Sequence, residues 1–326
     1  MAEFCSRYNQ PLARFRVKIW IERNDGYIGG VMIEISSTTP VLIAGPTASG
    51  KSALALHIAR LQGGIIINAD ALQVYSGWRL LTARPDDLEL AQANHALYGH
   101  ISYDEPYSTG HWLRDVASLL EGNRPIIVGG TGLNFLALIR GLADIPPTPS
   151  VVRIEANKIP LSLLLKDLDV QTIARIDTNN RMRVQRAWEV VQTTGRSITD
   201  WQDDTPPPLL RPQDVISITL DVPVNWLNDR ITRRFDQMLA LGALEEAQTM
   251  LQSWDPSHQS SKAIGAKELI AYLQGHITLI EAREAAIISS RQYAKRQRTW
   301  FRSKHKAWTK MDLSSLNLNT AINFID

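Results

Sequence analysis

Gly45-Pro46-Thr47-Ala48-Ser49-Gly50-Lys51-Ser52 follows the pattern G-x-x-x-x-G-K-[ST] of a phosphate-binding loop. Both flanks agree with it. Val41-Leu42-Ile43-Ala44 is a short apolar run that reads as a buried strand, and Ala53 to Arg60 holds helix formers with no breaker. A strand, a glycine-rich turn and a helix are what such a loop requires. The backbone N–H groups and the positive end of the helix dipole surround an anion. Lys51 adds a point charge on the terminal phosphate, and the Ser52 hydroxyl is placed to ligate Mg²⁺. The motif leaves open whose phosphate is bound.

Working outward, Ile65-Ile66-Ile67-Asn68 reads as a second buried strand ending at Asp70. Pro125 to Gly130 reads as a third and Val215 to Leu220 as a later one. A helix is expected over His111–Leu120. Alternating short strands and helices imply an α/β fold of the P-loop NTPase type, with a parallel sheet and flanking helices. Ligands of such sheets sit at the carboxyl ends of the strands, where the loop, Asp70 and Thr131 all fall. Pro146-Pro147-Thr148-Pro149 and Pro206-Pro207-Pro208 bracket the middle of the chain. Proline clusters resist both helix and sheet, so residues 146–208 read as an inserted helical subdomain, with helices near Leu161–Leu168 and Asn179–Thr193. Residues 32–145 and 209–326 form the core, whose C-terminal part is read as helices over Asn225–Trp254, Lys262–Gln274 and Thr278–Lys304.

At 326 residues, with 44% hydrophobic and 21% charged positions, the chain has an ordinary globular composition. The net charge of +2 means that a polyanionic partner must be met by a local basic face. One cysteine, Cys5, excludes a disulfide framework and a cysteine-based zinc site, and fits a reducing cytoplasm. No apolar run approaches a membrane span. Residues 1–31 carry Arg7, Arg14, Arg16, Lys18 and Arg23 among Glu3, Glu22 and Asp25, unlike a signal or transit peptide. They read as an upstream extension ahead of a start at Met32. The competing reading is an edge strand over Phe15–Ile21, where polar and apolar residues alternate.

Three further features carry chemistry. Asp70 is a carboxylate close to the loop, suited to proton transfer or to Mg²⁺, or else a helix N-cap. Gly129-Gly130-Thr131-Gly132 places a second helix start near the first, either as a plain turn or for close approach to a ligand. The last helix mixes Arg291, Lys295, Arg296, Arg298, Arg302, Lys304 and Lys306 with Tyr293, Trp300 and Phe301. That mixture suits phosphate contacts with base stacking, or a solvated helix whose aromatics anchor in the core. A second basic helix contains Arg181, Arg183 and Arg186, with Arg196 just past its end.

The combination resembles the bacterial-type tRNA dimethylallyltransferases. The matching segments run from Leu42–Ser52 through Asn68-Ala69-Asp70, Gln73-Val74-Tyr75, Thr82–Pro85, Gly129–Leu133, Arg183–Val190 and Lys262–Gly265 to Gln292–Phe301. The loop is shared with many kinases; the loop together with Gln-Tyr-Ala-Lys-Arg-Gln is specific. The resemblance implies transfer of the dimethylallyl group of dimethylallyl diphosphate to the N6 amine of the adenosine 3′-adjacent to the anticodon, with loss of pyrophosphate. It implies that residues 45–52 with Arg234, and Arg230 nearby, hold the diphosphate with Mg²⁺ at Ser52. Lys51, Asp70 as general base, and Thr131 would act in catalysis. Asp70, Ala71, Leu72, Gln73 and Thr131 would meet the tRNA at the flipped adenine. Arg153, Met182, Arg183, Val184, Gln185 and Arg186 would contact it elsewhere. The partner is the anticodon stem-loop, the enzyme a cytoplasmic monomer. The chain departs from the family pattern at Ala71, at Arg79-Leu80-Leu81 and Arg84, at Asn134 and at Ala266, and its 151–180 region is short. Rival readings are a small-molecule kinase, an isopentenyltransferase acting on free AMP or ADP, and a non-enzymatic RNA-binding protein.

Overall fold

Runs of Val, Ile and Leu too short for a helix satisfy their backbone N–H and C=O groups by pairing side by side. The apolar runs noted above do this in the computed structural model, which describes residues 16–21 and 31–314. Cys5 and the charged residues of 1–15 and 22–30 lie outside the described residues. In chain order the elements are β1 (Arg16–Ile21), β2 (Val31–Ser36), β3 (Val41–Ala44), α1 (Lys51–Gln62), β4 (Ile65–Asn68), α2 (Asp87–Leu90), β5 (Asn94–Ala96), α3 (Thr109–Leu120), β6 (Pro125–Gly129) and α4 (Gly132–Arg140). They continue with α5 (Ser150–Lys158), α6 (Leu161–Lys166), α7 (Val170–Arg175), α8 (Arg181–Thr194), α9 (Ile198–Asp203), β7 (Ile216–Leu220), α10 (Val224–Ala240), α11 (Ala243–Met250), α12 (Ala266–Leu273), α13 (Leu279–Lys304) and β8 (Thr309–Met311).

Six strands form one sheet in the order β5-β4-β6-β3-β7-β8, each neighbouring pair parallel. β3 and β6 are buried along their whole length, which accounts for their unbroken apolar sequence. Val41 of β3 pairs with Ile126 on one side and Ile216 on the other. The phosphate loop, Asp70 and Thr131 therefore emerge from the same edge of adjacent strands. On one face Leu54, Ala55 and Ile58 of α1 pack on Val41, Ile43, Ile66, Ile126 and Val128. A second core gathers Trp78 and Leu81 with Ile231 and Phe235 of α10, Ala247 of α11, Leu269 of α12 and Ala286 of α13.

Contact clustering divides the chain into residues 1–136 with 210–326, and residues 137–209. The second unit is helical. Ala156, Leu164, Leu168, Val184, Ala187 and Trp188 form its core, and Asp169, Asn180 and Ser197 cap α7, α8 and α9 through side-chain oxygens.

Several expectations need correction. The edge strands β5 and β8 were not foreseen, because Asn-His-Ala and Thr-Lys-Met are three residues each with no apolar run. The helix expected over Asn225–Trp254 breaks at Gly242, whose φ of 104° ends α10 and opens α11. Gly265, φ 96°, likewise delays α12 to Ala266. Residues 16–21 do form a strand, but it pairs antiparallel with β2, Arg16 opposite Ser36 and Ile21 opposite Val31, in a separate two-stranded sheet. Among the described residues no helix is long and apolar enough to cross a membrane.

The end of β6 tests the packing of the sheet. A Cβ on Gly129 would lie 2.2 Å from the Ala69 carbonyl carbon and 2.3 Å from its oxygen. Backbone cannot rotate away, so Gly129→Ala must force β4 and β6 apart where they carry the site. A loss of about 1–3 kcal/mol is expected from such overpacking, read as a lower urea midpoint. An unchanged midpoint would refute the tight contact.

Candidate active site

The loop between β3 and α1 is held from outside by α10. Gly50, φ 99°, stands at the N-cap of α1, where a side chain would be strained. Ala48 is the loop's non-glycine residue in the left-handed region, φ 61°, and its carbonyl accepts from Arg230 Nε at 2.9 Å. One turn further along α10, Arg234 Nη1 donates to Thr47 Oγ1 at 3.3 Å. Lys51 Nζ folds back to the Pro46 carbonyl at 2.7 Å. Burial lowers its pKa to about 8; the Asp70 charge opposes this shift and the Arg234 charge adds to it. Lys51, Arg79, Arg84, Arg230, Arg233 and Arg234 line a groove of about 900 Å³ beside the loop. Six cations outnumber the carboxylates of Asp86, Glu89 and Glu246 around this concavity, an excess of positive charge that suits a multiply charged anion.

Asp70 does not cap a helix. Its Oδ1 accepts from Leu72 N at 2.9 Å within a run of turns, so the capping alternative falls away. Buried Asn68 aims it: Asn68 Oδ1 accepts from Asp70 N at 2.8 Å, while Nδ2 donates to the Asp70 and Leu97 carbonyls. Thr131 stands alongside, its N–H on the Ala69 carbonyl at 3.2 Å and its Oγ1 accepting from Ala71 N at 2.9 Å. The glycines around Thr131 answer to protein neighbours. Gly129 lies against Ala69, Gly130 against the Gln297 amide and Asp70 Oδ2, and Gly132 against the Trp300 ring.

The last helix supplies what sequence reasoning missed. Gln297 is buried; its Oε1 accepts from Thr47 N at 2.8 Å and its Nε2 donates to the Gly130 carbonyl at 3.1 Å. One amide thus bridges the phosphate loop and the Thr131 turn. Tyr293, one turn earlier, has Thr131 and Gln297 as hydrogen-bonding neighbours, and burial followed by the Asp70 charge holds its phenol protonated. Phe301 is buried and stacks edge-on with Phe135. The aromatics of α13 therefore anchor the helix, whereas Arg291, Lys295, Arg296, Arg302 and Lys304 are exposed. The signal was present: Ala294, Gln297 and Phe301 follow the spacing of a buried stripe, with a polar residue in its middle. Glu246 was missed too; its carboxylate accepts the N–H groups of Arg79, Leu80 and Leu81.

Thr47, Asp70, Thr82, Arg234, Ser290 and Tyr293 line a cavity of about 70 Å³ together with Leu72, Leu81, Ile231, Phe235, Met238 and Ile264. Both amide protons of Gln73 go to the carbonyls of Thr82 and Ala83. Ala71 is exposed beside it. Among the departures from the family pattern, Asn134 is buried, accepting from Thr109 Oγ1, and Ala266 is fully enclosed.

In the second unit, Met182 and Arg183 are exposed at the start of α8. Val184 is fully buried, and Gln185 is buried with its Nε2 on Asn157 and Glu189. These two build the helix instead of presenting side chains to a partner. Arg153 pairs with buried Glu189 at 3.5 Å, and Arg186 donates to Thr148 Oγ1 at 2.5 Å. Arg181 binds the carbonyls of Ala156, Asn157 and Ile159, and Arg196 pairs with Asp204, so both serve the fold.

With this geometry in place, comparison with known proteins is informative. The IPP transferase family model matches residues 73–304, and an isopentenyl transferase model matches residues 39–99. A tRNA dimethylallyltransferase of Ruegeria sp. (strain TM1040) is 58% identical over 279 residues, covering 85% of this chain and 97% of the relative. One of Roseobacter denitrificans is 59% identical over 271 residues, covering 83% and 97%. The crystal structure of the tRNA isopentenylpyrophosphate transferase from Bacillus halodurans superposes with a TM-score of 0.63 at 32% identity, covering 87% of this chain and 93% of that one.

Lys51 gives the site a measurable pH signature. With its pKa lowered to about 8 it is charged below that pH and loses its proton above it. An arriving diphosphate favours the charged form, so affinity should fall as pH rises through about 8. Near that pH, pyrophosphate binding should take up about half a proton more in the wild type than in Lys51→Gln. Calorimetry at saturating ligand, in buffers of different ionisation enthalpy, measures this. Equal uptake would place Lys51 outside the anion site.

Proposed function

The chain belongs to the IPP transferase family, and we infer that it is a transferase that moves the dimethylallyl group of dimethylallyl diphosphate onto tRNA, releasing pyrophosphate. The acceptor in this reading is the N6 amine of the adenosine 3′-adjacent to the anticodon. One observation carries it: residues of an anion loop and a carboxylate line the same small cavity as Leu72, Leu81, Ile231, Phe235, Met238 and Ile264. A diphosphate head fits the loop, a hydrocarbon fits the apolar walls, and the carboxylate stands between them and an incoming base. The kinase and free-nucleotide readings are not favoured by relatives of this kind.

The loop amides, Lys51, Arg230 and Arg234 are placed to take up negative charge as the C–O bond to the diphosphate breaks. The adenine amine is a weak nucleophile because its lone pair is delocalised into the ring. As the N6–C bond forms, Asp70 accepts the proton that N6 loses, so the products are prenylated adenosine, pyrophosphate and one proton. Asn68 and Leu72 N keep that carboxylate aimed. The protonated Tyr293 phenol and Thr131 lie beside it. The base must leave the anticodon-loop stack to reach this point. Gln73, Ala71 and Leu72 lie on its approach, and the exposed Met182 and Arg183, with Arg153 and Arg186, are offered to the rest of the stem-loop.

Mg²⁺ fits this site. Ser52 is exposed and lines the cationic groove. The described residues hold no cluster of three or more His, Cys, Asp or Glu. The ion would accordingly share Ser52 with diphosphate oxygens and water. When bound it neutralises charge on the leaving diphosphate.

Mass spectrometry of tRNA nucleosides tests the reading, after incubation of the protein with dimethylallyl diphosphate, Mg²⁺ and unmodified tRNA. One adenosine should gain a dimethylallyl group in place of a hydrogen; no gain would overturn the assignment. In the same assay Asp70→Asn keeps the acceptor for Leu72 N but removes the base. Single-turnover transfer should slow by ~10²–10⁴ while tRNA affinity changes little. Transfer at the wild-type rate would make Asp70 structural.

A further inference from the structure

We propose that Gln297 is a positioning residue for group transfer: its side-chain amide is an added rung between β3 and β6 that sets the spacing of the phosphate loop and the Asp70–Thr131 side of the site. The proposal rests on the reaction assigned above and adds what holds its two halves at reacting distance. The parallel ladder of β3 and β6 ends at the pair Ala44 and Gly129. The loop and the Thr131 turn lie past that end. Among the described residues no backbone hydrogen bond joins residues 45–50 to residues 130–133. Gln297 joins them instead, its Oε1 accepting from Thr47 N at 2.8 Å and its Nε2 donating to the Gly130 carbonyl at 3.1 Å. A peptide group placed between two strands would make the same pair of bonds. The amide is also close to the base: a Cβ on Gly130 would stand 2.0 Å from Nε2 and 3.2 Å from Asp70 Oδ2.

The rung is rigid. Gln297 is 5% exposed, and Ala294 and Phe301 are buried on either side of it along α13. Thr47 offers only a proton and Gly130 only lone pairs, so the amide has one orientation. Each half of the site keeps bonds of its own. Lys51, Arg234 and Arg230 hold the loop at Pro46, Thr47 and Ala48. Thr131 is bonded to Ala69 and Ala71, which flank Asp70. Loss of the amide therefore leaves both halves formed and changes the distance between them. A misplacement of about 1 Å at reacting groups can cost ~10²-fold in rate.

The test is single-turnover transfer from dimethylallyl diphosphate to unmodified tRNA, both saturating, with Kd for pyrophosphate and for tRNA measured separately. Gln297→Met keeps the length of the side chain and removes both hydrogen bonds. Its rate should fall by ~10²-fold while both Kd values stay close to wild type. Gln297→Glu separates positioning from packing. When protonated its carboxyl accepts from Thr47 N and donates to Gly130; when ionised it cannot donate. Burial and the Asp70 charge raise the pKa of an acid here, Lys51 and Arg234 at the loop oppose them, and the neighbouring Tyr293 stays neutral. Divided by the wild-type rate at each pH, the Gln297→Glu rate should fall as pH rises, and the Gln297→Met rate should give a flat ratio. The Gln297→Glu profile carries the test if Gln297→Met does not fold. A wild-type rate in folded Gln297→Met, a loss confined to pyrophosphate affinity, or a flat Gln297→Glu ratio overturns the positioning role alone. A wild type that transfers no dimethylallyl group overturns the reaction assignment and this role with it.

Discussion

The side-chain amide of Gln297 sets the geometry on which the rest of the site depends. The phosphate loop leaves β3 and the Thr131 turn leaves β6, neighbours in the sheet, and each presents a backbone polar group to the gap between them. Thr47 offers an N–H and Gly130 a carbonyl, and one amide satisfies both. An apolar residue there would leave both buried groups unpaired, at about 1–3 kcal/mol each. The same contact attaches α13 to the sheet edge and brings Tyr293 to Thr131. Glycine at 129, 130 and 132 is the corollary, since Ala69, the amide itself and Trp300 occupy the space a Cβ would need.

Charge is distributed with similar economy. Arg230 and Arg234 reach the loop from consecutive turns of α10 and hold it open by binding the Ala48 carbonyl and the Thr47 hydroxyl. Burial lowers the pKa of Lys51 and of Arg234, and in both cases the Asp70 charge is the main opposing influence. Asp70 thus steadies both cations where burial disfavours their charge.

In the second unit the basic residues divide by their partners. Arg181 and Arg196 are bound by carbonyls and carboxylates of the fold. Arg183 is exposed at the first turn of α8, and Met182 beside it presents an apolar surface to solvent. A net charge near zero is therefore compatible with an RNA substrate, because the cations that matter are positioned locally and not in bulk.

The sequence by itself determined the phosphate loop, four short apolar strands of the parallel sheet, the α/β class and the family resemblance. These are local patterns: eight consecutive residues impose the loop, and period and composition mark a buried strand. Two edge strands escaped because three-residue pairings carry no such pattern, and the long helices were overrun where Gly242 and Gly265 turn left-handed. Only the tertiary structure decided that Asp70 closes a turn instead of capping a helix. It also decided that the aromatics of α13 pack inward and that Leu81 and Phe235 line one cavity with Asp70. The physical reason is distance along the chain. Gln297 meets Thr47 across 250 residues and Gly130 across 167, and Glu246 meets Leu81 across 165. No window of neighbouring residues contains both partners of such a bond, so the sheet must form before the site exists.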